Sequence, residues 1–194
     1  MTLIHHAWTD EELLGRSREP IAAPVASLRT NFVLLDRDGT LNRLRPGYVS
    51  DPDDLDVLHG AVDVVRQLNE CGAKVVVVTN QRGIATGALS EHQLVAVHRR
   101  LVAEFAAGGA HFDGFHVCPH EEGTCDCRKP RPGLIIQALS RAAWSRTSQT
   151  VMVGDSDRDS GAAQAAGVPF LGLDDPKVGL VQKVQKILAL CTHE

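Results

Sequence analysis

Two aspartates separated by one residue, Asp36 and Asp38, carry the strongest chemical signal in this 194-residue chain. The apolar run 32–35 precedes them and predicts a buried strand that ends where the acids begin. Such a pair can hold a metal ion, present one oxygen nucleophile and keep a second acid beside it. These are the parts needed to cleave a phosphate ester through a covalent aspartyl-phosphate.

Polar residues that could assist this reaction occur in three further places. They are Thr79, Asn80 and Gln81 after a run of valines, Arg128 and Lys129 before a predicted helix, and Asp155 and Asp159 after another apolar run. The hydroxyl and amide groups can bind phosphate oxygens, and Lys129 can hold the attacking carboxylate. Asp38 is then free to protonate the leaving oxygen and afterwards to activate water.

Charge repulsion predicts a divalent cation among these acids. A carboxylate and a phosphate about 4 Å apart repel by about 4 kcal/mol per pair of unit charges at an effective dielectric of about 20. Additional carboxylates increase this repulsion unless a cation lies between them. Oxygen ligands, completed by phosphate and water, favour Mg²⁺.

The elements that must position these residues alternate between strand and helix from residue 31 onward. The predicted strands are 32–36, 73–79, 112–118, 150–153 and 168–171, and the predicted helices cover 61–68, 94–105, 134–144 and 181–191. This alternation predicts an α/β fold with a three-layer, Rossmann-like parallel sheet and helices on both faces. Ligands of such sheets bind beyond the carboxyl ends of the strands, where most of the polar groups above lie.

The sequence predicts an N-terminal extension over residues 1–29 and a single domain over residues 30–194. Thr9 and Glu12 fit a capping box and predict a short helix that ends near Leu14. Pro20 and Pro24 then break the chain, and the sequence assigns this segment no chemistry.

Three cysteines and one histidine form a second group with chemical potential. They are Cys118, His120, Cys125 and Cys127. Three thiolates and an imidazole at this spacing predict a closed tetrahedral Zn²⁺ site, structural because no coordination position stays open. Its expected task is to shape the loop that presents Arg128 and Lys129. His116 is a competing imidazole, although its place within a predicted strand favours a packed side chain.

Composition excludes several classes of protein. A formal charge of −4 and an aromatic content of 4% argue against a nucleic-acid binder. No apolar run is long enough to span a bilayer, and the first ten residues lack the apolar region of a secretion signal, so we expect a cytoplasmic location. Clustered cysteines favour a metal in a reducing compartment over disulfides. The remote Cys71 and Cys191 are interpreted as half-buried apolar residues.

The motifs, in this order, resemble the haloacid dehalogenase superfamily of phosphatases over about residues 31–175. The matching positions are Asp36, Asp38 and Thr40, then Thr79, then Lys129, then Gly154, Asp155 and Asp159. The resemblance implies that Asp36 is the nucleophile and Asp38 the acid and base. It also implies that Asp36, the backbone carbonyl of Asp38, and Asp155 hold Mg²⁺, with Asp159 behind them.

The cysteine cluster resembles that of two groups within the superfamily, the heptose 1,7-bisphosphate 7-phosphatases and the histidinol-phosphate phosphatases. Both groups are compact, without a large cap domain, and compact relatives tend to be monomers. Only about 42 residues separate Asp38 from Asn80, which leaves no room for such a cap. The resemblance therefore implies an open active site in which loops select a small phosphorylated sugar.

Details of the loops point in both directions between these two groups. The runs 47–49 and 79–84 resemble the heptose group, and Arg128 would by similarity bind the second phosphate or the hydroxyls of the substrate. The zinc loop, however, is nearer the histidinol-phosphate length. Thr86 replaces an arginine found in many heptose enzymes, and Arg82 is near enough to substitute. We expect the enzyme to hydrolyse the 7-phosphate of D-glycero-D-manno-heptose 1,7-bisphosphate. Histidinol phosphate or another small sugar phosphate is the alternative substrate.

Three other functions can be weighed against a phosphatase. A phospho-accepting signalling domain also has an aspartate after a parallel strand, but Asp38 would speed the loss of its phosphoryl group. A binding module that has lost catalysis would not need every catalytic residue type. A nucleic-acid phosphate as substrate would use the basic residues Arg43, Arg45, Arg128 and Arg131. The chain's overall acidity disfavours this third reading.

Overall fold

The computed structural model describes residues 6–25 and 29–173 and is built on a five-stranded parallel sheet. The strands are β1 (Phe32–Leu35), β2 (Lys74–Asn80), β3 (Gly114–Cys118), β4 (Thr150–Gly154) and β5 (Phe170–Gly172), in the spatial order β3-β2-β1-β4-β5. At the centre, Leu34 of β1 aligns with Val76 of β2 and with Met152 of β4. The direction of winding reverses between β1 and β4, so the carboxyl ends of these two strands flank the switch point where ligands bind.

Helices cover both faces of the sheet. They are α1 (Asp10–Leu13), α2 (Ala61–Glu70), α3 (Gly83–Thr86), α4 (Glu91–Ala107), α5 (Gly133–Arg141) and α6 (Asp157–Ala166), with 3₁₀ turns at Pro52–Asp54 and Thr147–Gln149. Side chains alternate along β1, so Val33 and Leu35 pack with α1, α2 and α4, whereas Phe32 and Leu34 pack with α5 and α6. The predicted three-layer α/β fold is therefore confirmed.

The predicted element boundaries agree with the structure to within a few residues. In α4, the expected apolar face of Leu94, Val97, Leu101 and Phe105 is fully buried. The strand β3 begins at Gly114 rather than at residue 112, and β5 ends at Gly172 rather than at residue 171. The predicted final helix through Val181, Val184, Leu188 and Cys191 lies outside the described residues.

The described part of the N-terminal segment packs along the edge strand β3. The capping box between Thr9 and Glu12 is present, as predicted, and starts α1. Gly15 then lies against the backbone of the strand with φ +71°, and a Cβ there would lie 2.5 Å from the Val117 nitrogen. Farther along, the Arg141 Nε of α5 donates to the Glu19 carbonyl at 2.8 Å. The segment thus covers an edge that would otherwise be open to pairing with another chain.

Within the described ranges, no helix combines the length and apolar character that crossing a membrane requires.

Candidate active site

A cavity of about 520 Å³ opens at the carboxyl ends of the central strands. It collects predicted residues from all four motifs: Asp36, Asp38, Thr79, Lys129, Asp155 and Asp159. The strands deliver them because β1, β2 and β4 are adjacent and parallel, so their ends meet at one edge. The structure thus brings the residues of the four predicted motifs to one cavity.

A buried lysine joins two of the acids. The Lys129 Nζ donates to Asp36 Oδ1 at 2.6 Å and to the Val78 carbonyl at 2.8 Å. It also forms an ion pair with Asp159 Oδ1 at 2.6 Å. Burial alone would lower the pKa of Lys129, but the charges of the two carboxylates raise it above its usual value. Lys129 is therefore a cation at physiological pH, and its ammonium holds Asp36 in a fixed position.

The acids outnumber the cations in this part of the cavity. Carboxylate oxygens of Asp36, Asp155 and Asp159 lie within 4.8 Å of one another. Burial, followed by the charges of neighbouring acids, raises the pKa of Asp155, and burial likewise raises the pKa of Asp36. When all three acids are ionised, their charge exceeds that of the single Lys129 ammonium by two, an excess that disfavours ionisation unless a cation lies among them. An oxygen-only donor set with this excess of charge suits a divalent cation such as Mg²⁺.

Gly39 is required for this convergence. It has φ +93°, and a Cβ at this position would lie 1.9 Å from Asp155 Oδ2. A side chain would therefore drive the carboxylate away from Asp36. The small residue after the first acidic pair is explained by this close approach and by the left-handed backbone.

Asp38 occupies a different environment from the other acids. Its Oδ1 accepts from Arg37 Nη2 at 2.9 Å and from Asn42 Nδ2 at 3.1 Å. Its Oδ2 accepts from Arg37 Nη2 at 2.8 Å and from Gln81 Nε2 at 2.9 Å. Burial would raise the pKa of Asp38, but the charge and hydrogen bonds of Arg37, with help from Asn42 and Gln81, hold it below its usual value. Asp38 is thus an ionised carboxylate with its own counter-ion.

Two amides predicted to bind substrate make hydrogen bonds within the protein. The Asn80 side chain donates to the Lys129 carbonyl at 3.0 Å and accepts from the Lys129 nitrogen at 3.1 Å. Gln81 is 1% exposed, and its Nε2 donates to both Asp38 and Thr79 Oγ1. Asn80 also lines the cavity, whereas Gln81 lies behind Asp38. Gln81 was expected to contact the substrate directly. Its side chain instead turns inward at the end of the strand and binds Asp38 and Thr79.

Arginines surround the mouth of the cavity. They are Arg45, Arg82, Arg128 and Arg158. Arg128 has its Nη1 atom buried without a hydrogen-bond partner in the described parts of the chain. The exposed Arg82 has a raised pKa because its guanidinium interacts with Tyr48. The sequence had not singled out Arg158, although its position inside the fourth motif could have drawn attention to it.

The predicted cysteine cluster is assembled in the structure. The Sγ atoms of Cys118 and Cys125 are 3.6 Å apart, those of Cys125 and Cys127 are 3.3 Å apart, and His120 Nδ1 lies 3.2 Å from Cys127 Sγ. The sulfur spacings are near the edge, about 3.8 Å, of a tetrahedron with Zn–S bonds of about 2.3 Å. The donor set therefore fits Zn²⁺, and Arg128 follows its last ligand directly.

Two further side chains considered with this cluster lie elsewhere, and the third, Cys191, lies outside the described residues. His116 is buried in β3, and burial followed by the charge of Arg141 lowers its pKa to about 3, so it is a neutral packed residue. Cys71 is exposed at the end of α2, and the expectation that it is half-buried was wrong. Cys71 is the C-cap residue of α2, where the chain leaves the helix and turns at the surface.

Two buried polar residues behind Asp38 escaped the sequence analysis. Arg37 and His98 are both fully buried. Arg37 Nη1 lies 3.0 Å from His98 Nε2, and His98 Nδ1 lies 2.7 Å from the Leu13 carbonyl. An arginine between two aspartates at the end of a buried strand was a usable sign for Arg37, whereas no local pattern pointed to His98.

Comparison with known proteins places the chain among hydrolases. The haloacid dehalogenase-like hydrolase family matches residues 32–167. The D-glycero-beta-D-manno-heptose-1,7-bisphosphate 7-phosphatase of Vibrio cholerae is 40% identical over 144 residues, covering 70% of this chain and 76% of its own. The D-glycero-alpha-D-manno-heptose-1,7-bisphosphate 7-phosphatase of Mycobacterium tuberculosis is 40% identical over 129 residues, covering 66% of this chain and 68% of its own.

A solved structure is similar as well. It is the D,D-heptose 1,7-bisphosphate phosphatase from B. bronchiseptica, which was crystallised with magnesium and phosphate. It superposes with a TM-score of 0.72 at 32% identity, covering 82% of this chain and 86% of that one.

Proposed function

Because this chain belongs to the haloacid dehalogenase-like hydrolases, we propose that it is a magnesium-dependent phosphatase that removes the 7-phosphate of D-glycero-D-manno-heptose 1,7-bisphosphate. The resemblance inferred from the four motifs is confirmed by the family match. The observation that carries the proposal is the buried contact of Lys129 with Asp36 in a cavity that Asp38 also lines. That contact holds one carboxylate for attack and leaves the other for proton transfer.

In the first half-reaction, an Asp36 oxygen attacks phosphorus and the bond from phosphorus to the sugar oxygen breaks. The sugar oxygen takes a proton from Asp38, which the negative charge of the bound phosphate brings to the protonated state. The Thr79 hydroxyl hydrogen-bonds an equatorial phosphoryl oxygen, and Lys129 offsets the charge of the attacking carboxylate. The products are the free sugar hydroxyl and an aspartyl-phosphate on Asp36.

In the second half-reaction, water attacks the phosphorus of the aspartyl-phosphate. Asp38, now a carboxylate, removes a proton from that water, and the bond to the Asp36 oxygen breaks. Phosphate leaves, Asp36 is regenerated as a carboxylate, and Asp38 carries the proton for the next cycle.

Mg²⁺, held by Asp36, the backbone carbonyl of Asp38, and Asp155, would neutralise the charge that the nucleophile and the phosphate bring together. Asp159 supports this group from behind, because its Oδ2 accepts from the nitrogen of Ser156 at 3.2 Å while its Oδ1 contacts Lys129.

Arg128 supports the choice of a bisphosphate. A guanidinium nitrogen that is buried without a partner is costly unless a ligand satisfies it, and phosphate is the ligand that arginine binds with two parallel hydrogen bonds. Arg128 lies on the same cavity as Asp36, so one phosphate can be attacked while the other is bound. Arg82 and Asn80 complete the proposed substrate-binding set at this mouth.

A substrate panel tests this proposal. With Mg²⁺, we expect kcat/KM for heptose 1,7-bisphosphate to exceed that for histidinol phosphate by at least about 10²-fold, because only the bisphosphate satisfies Arg128. Arg128→Ala should raise KM for the bisphosphate by about 10- to 100-fold, the loss expected for a hydrogen bond to a charged group. Both anomers belong in the panel, since the relatives described above are named for different ones.

Arg43→Ala is the matched control for Arg128→Ala. Arg43 pairs with Asp56 at 2.7 Å on an exposed surface and does not line the cavity, so its loss should leave KM unchanged. A preference for histidinol phosphate in the wild-type enzyme would transfer the assignment to that substrate. An equal rise of KM in both variants would contradict the role of Arg128.

We propose that the cysteine cluster holds a structural Zn²⁺ that supports the loop carrying Arg128 and Lys129. Metal analysis should find about one zinc per chain, and Cys125→Ser should lower both the zinc content and the melting temperature. Cys71→Ser is the control, because Cys71 is an exposed thiol far from the cluster in sequence. Full zinc content in Cys125→Ser, or equal losses in both variants, would contradict this assignment.

Clustered cysteines that hold a metal rather than form disulfides are typical of a reducing compartment, which supports a cytoplasmic site of action. A monomer acting on a small phosphorylated sugar, with no nucleic acid or membrane as partner, completes the proposal.

A further inference from the structure

We propose that Arg37 and His98 are positioning residues that fix the Asp38 carboxylate for proton transfer, with the Leu13 carbonyl of the N-terminal segment as their anchor. This inference rests on the proposed function, in which Asp38 exchanges protons with the leaving oxygen and with water. It assigns a task to a histidine and to a segment that lie outside the four motifs.

The contact between Arg37 and Asp38 is a two-pronged ion pair. Arg37 Nε and Nη2 donate to Asp38 Oδ1 at 3.2 and 2.9 Å, and Nη2 also reaches Oδ2 at 2.8 Å. The Arg37 side chain is 1% exposed, whereas the Asp38 side chain is 26% exposed. The guanidinium thus holds the carboxylate from behind, while the open side of the carboxylate faces the cavity.

His98 fixes the guanidinium in turn. An arginine can only donate, so His98 Nε2 must accept from Arg37 Nη1 across 3.0 Å. The imidazole is then neutral, with its proton on Nδ1, and it donates to the Leu13 carbonyl at 2.7 Å. Burial, followed by the charge of Arg37, lowers the pKa of His98 to about 3, which agrees with a neutral ring.

The anchor comes from the N-terminal segment. Leu13 is fully buried at the end of α1, and the family match begins only at residue 32. Its carbonyl selects one tautomer of His98, and that tautomer presents the lone pair that Arg37 needs. The contacts from Arg37 to His98 and from His98 to Leu13 are both buried single hydrogen bonds, so they hold the guanidinium in one arrangement rather than several.

The expected consequence is a defect in proton transfer without a defect in attack by Asp36. The sugar oxygen is a poor leaving group and must receive a proton as its bond to phosphorus breaks. The much less basic 4-nitrophenolate leaves without a proton. The value of kcat/KM reports the first irreversible step, which includes departure of the leaving group. A misplaced Asp38 should therefore slow the sugar substrate far more than 4-nitrophenyl phosphate.

The test compares these two substrates in His98→Ala. We expect kcat/KM for the heptose bisphosphate to fall by about 10²-fold, the size of a general-acid contribution lost through misplacement. For 4-nitrophenyl phosphate we expect a change within about threefold. His98→Gln should recover most of the loss, because its amide oxygen can accept from Arg37 and its amide nitrogen can donate to Leu13.

His116→Ala is the matched control. His116 is also a buried, neutral histidine, but its ring contacts Arg141 rather than Arg37, so the ratio of the two substrates should not change. Should His98→Ala fail to fold, Arg37→Lys supplies the same comparison. Lysine keeps the positive charge but cannot make the two-pronged contact with Asp38. This variant should therefore also lose much more kcat/KM on the sugar substrate than on 4-nitrophenyl phosphate.

Equal losses on the two substrates in folded His98→Ala or Arg37→Lys would overturn the positioning role. A different result would contradict the proposed function, namely an Asp36→Asn variant that keeps the wild-type activity. An error in the sugar alone leaves the test intact, because any alkyl phosphate that the wild-type enzyme hydrolyses can replace the heptose.

Discussion

Asp36→Asn should lower kcat by about 10⁴-fold or more, because the amide cannot form the covalent phosphoryl intermediate that divides the reaction into two steps. The fold should persist, since asparagine has nearly the same size and can still accept a hydrogen bond from Lys129 Nζ, which lies 2.6 Å from Asp36 Oδ1. The measurement is phosphate release from the heptose bisphosphate at saturating substrate, with circular dichroism on the same samples.

Asp157→Asn is the matched control for this variant. Asp157 is an exposed acid at the start of α6 and does not line the cavity, so its loss should leave kcat unchanged. Rapid quenching of the wild-type enzyme during turnover should recover phosphate on the peptide that contains Asp36. Turnover by Asp36→Asn at the wild-type rate would contradict the mechanism, whatever the substrate.

Lys129→Met should lower both activity and stability. The variant keeps the length of the side chain but removes a buried ammonium that contacts Asp36 and Asp159, each at 2.6 Å. Breaking a buried ion pair from one side leaves uncompensated charge, which costs about 3–5 kcal/mol of unfolding free energy. We expect kcat to fall by at least about 10²-fold, because the nucleophile loses the group that orients it.

Lys74→Met provides the comparison for Lys129→Met. Lys74 pairs with Asp113 at 2.9 Å at the start of β2, the opposite end of the sheet from the cavity, and its side chain is 20% exposed. The Asp113 side chain is only 11% exposed but keeps a hydrogen bond from the Val75 nitrogen at 2.8 Å, so loss of Lys74 should cost about 1.5–3 kcal/mol and leave kcat unchanged. Urea denaturation of both variants gives the two free energies. Similar decreases of kcat and of unfolding free energy in the two variants would contradict the role of Lys129 in orienting Asp36.

The fold and the candidate site residues could be predicted from local patterns. Four consecutive valines in β2 and the acids that follow β1 and β4 are read from short stretches of sequence, because burial and strand period act over a few residues. The four residues of the cysteine cluster likewise lie within the short stretch 118–127. Parallel sheets bring strand ends to one edge, so naming the strands was enough to gather Asp36, Thr79 and Asp155 into one site.

The roles of individual amides were decided only by the tertiary structure. Asn80 and Gln81 follow β2 as predicted, yet one clamps the backbone of Lys129 and the other binds Asp38. Sequence places a residue at a strand end, but a hydrogen bond depends on the direction of a side chain over about 3 Å. That direction is set by packing against elements far along the chain.

The sequence by itself determined which acids and cations gather at the cavity and which thiols form the cysteine cluster. What only the tertiary structure decided is how Asp38 is held. Arg37 and His98 are 61 residues apart, and His98 and Leu13 are 85 residues apart. Such pairs leave no periodic trace in the sequence, because their contact arises when α1 and α4 pack on the same face of the sheet.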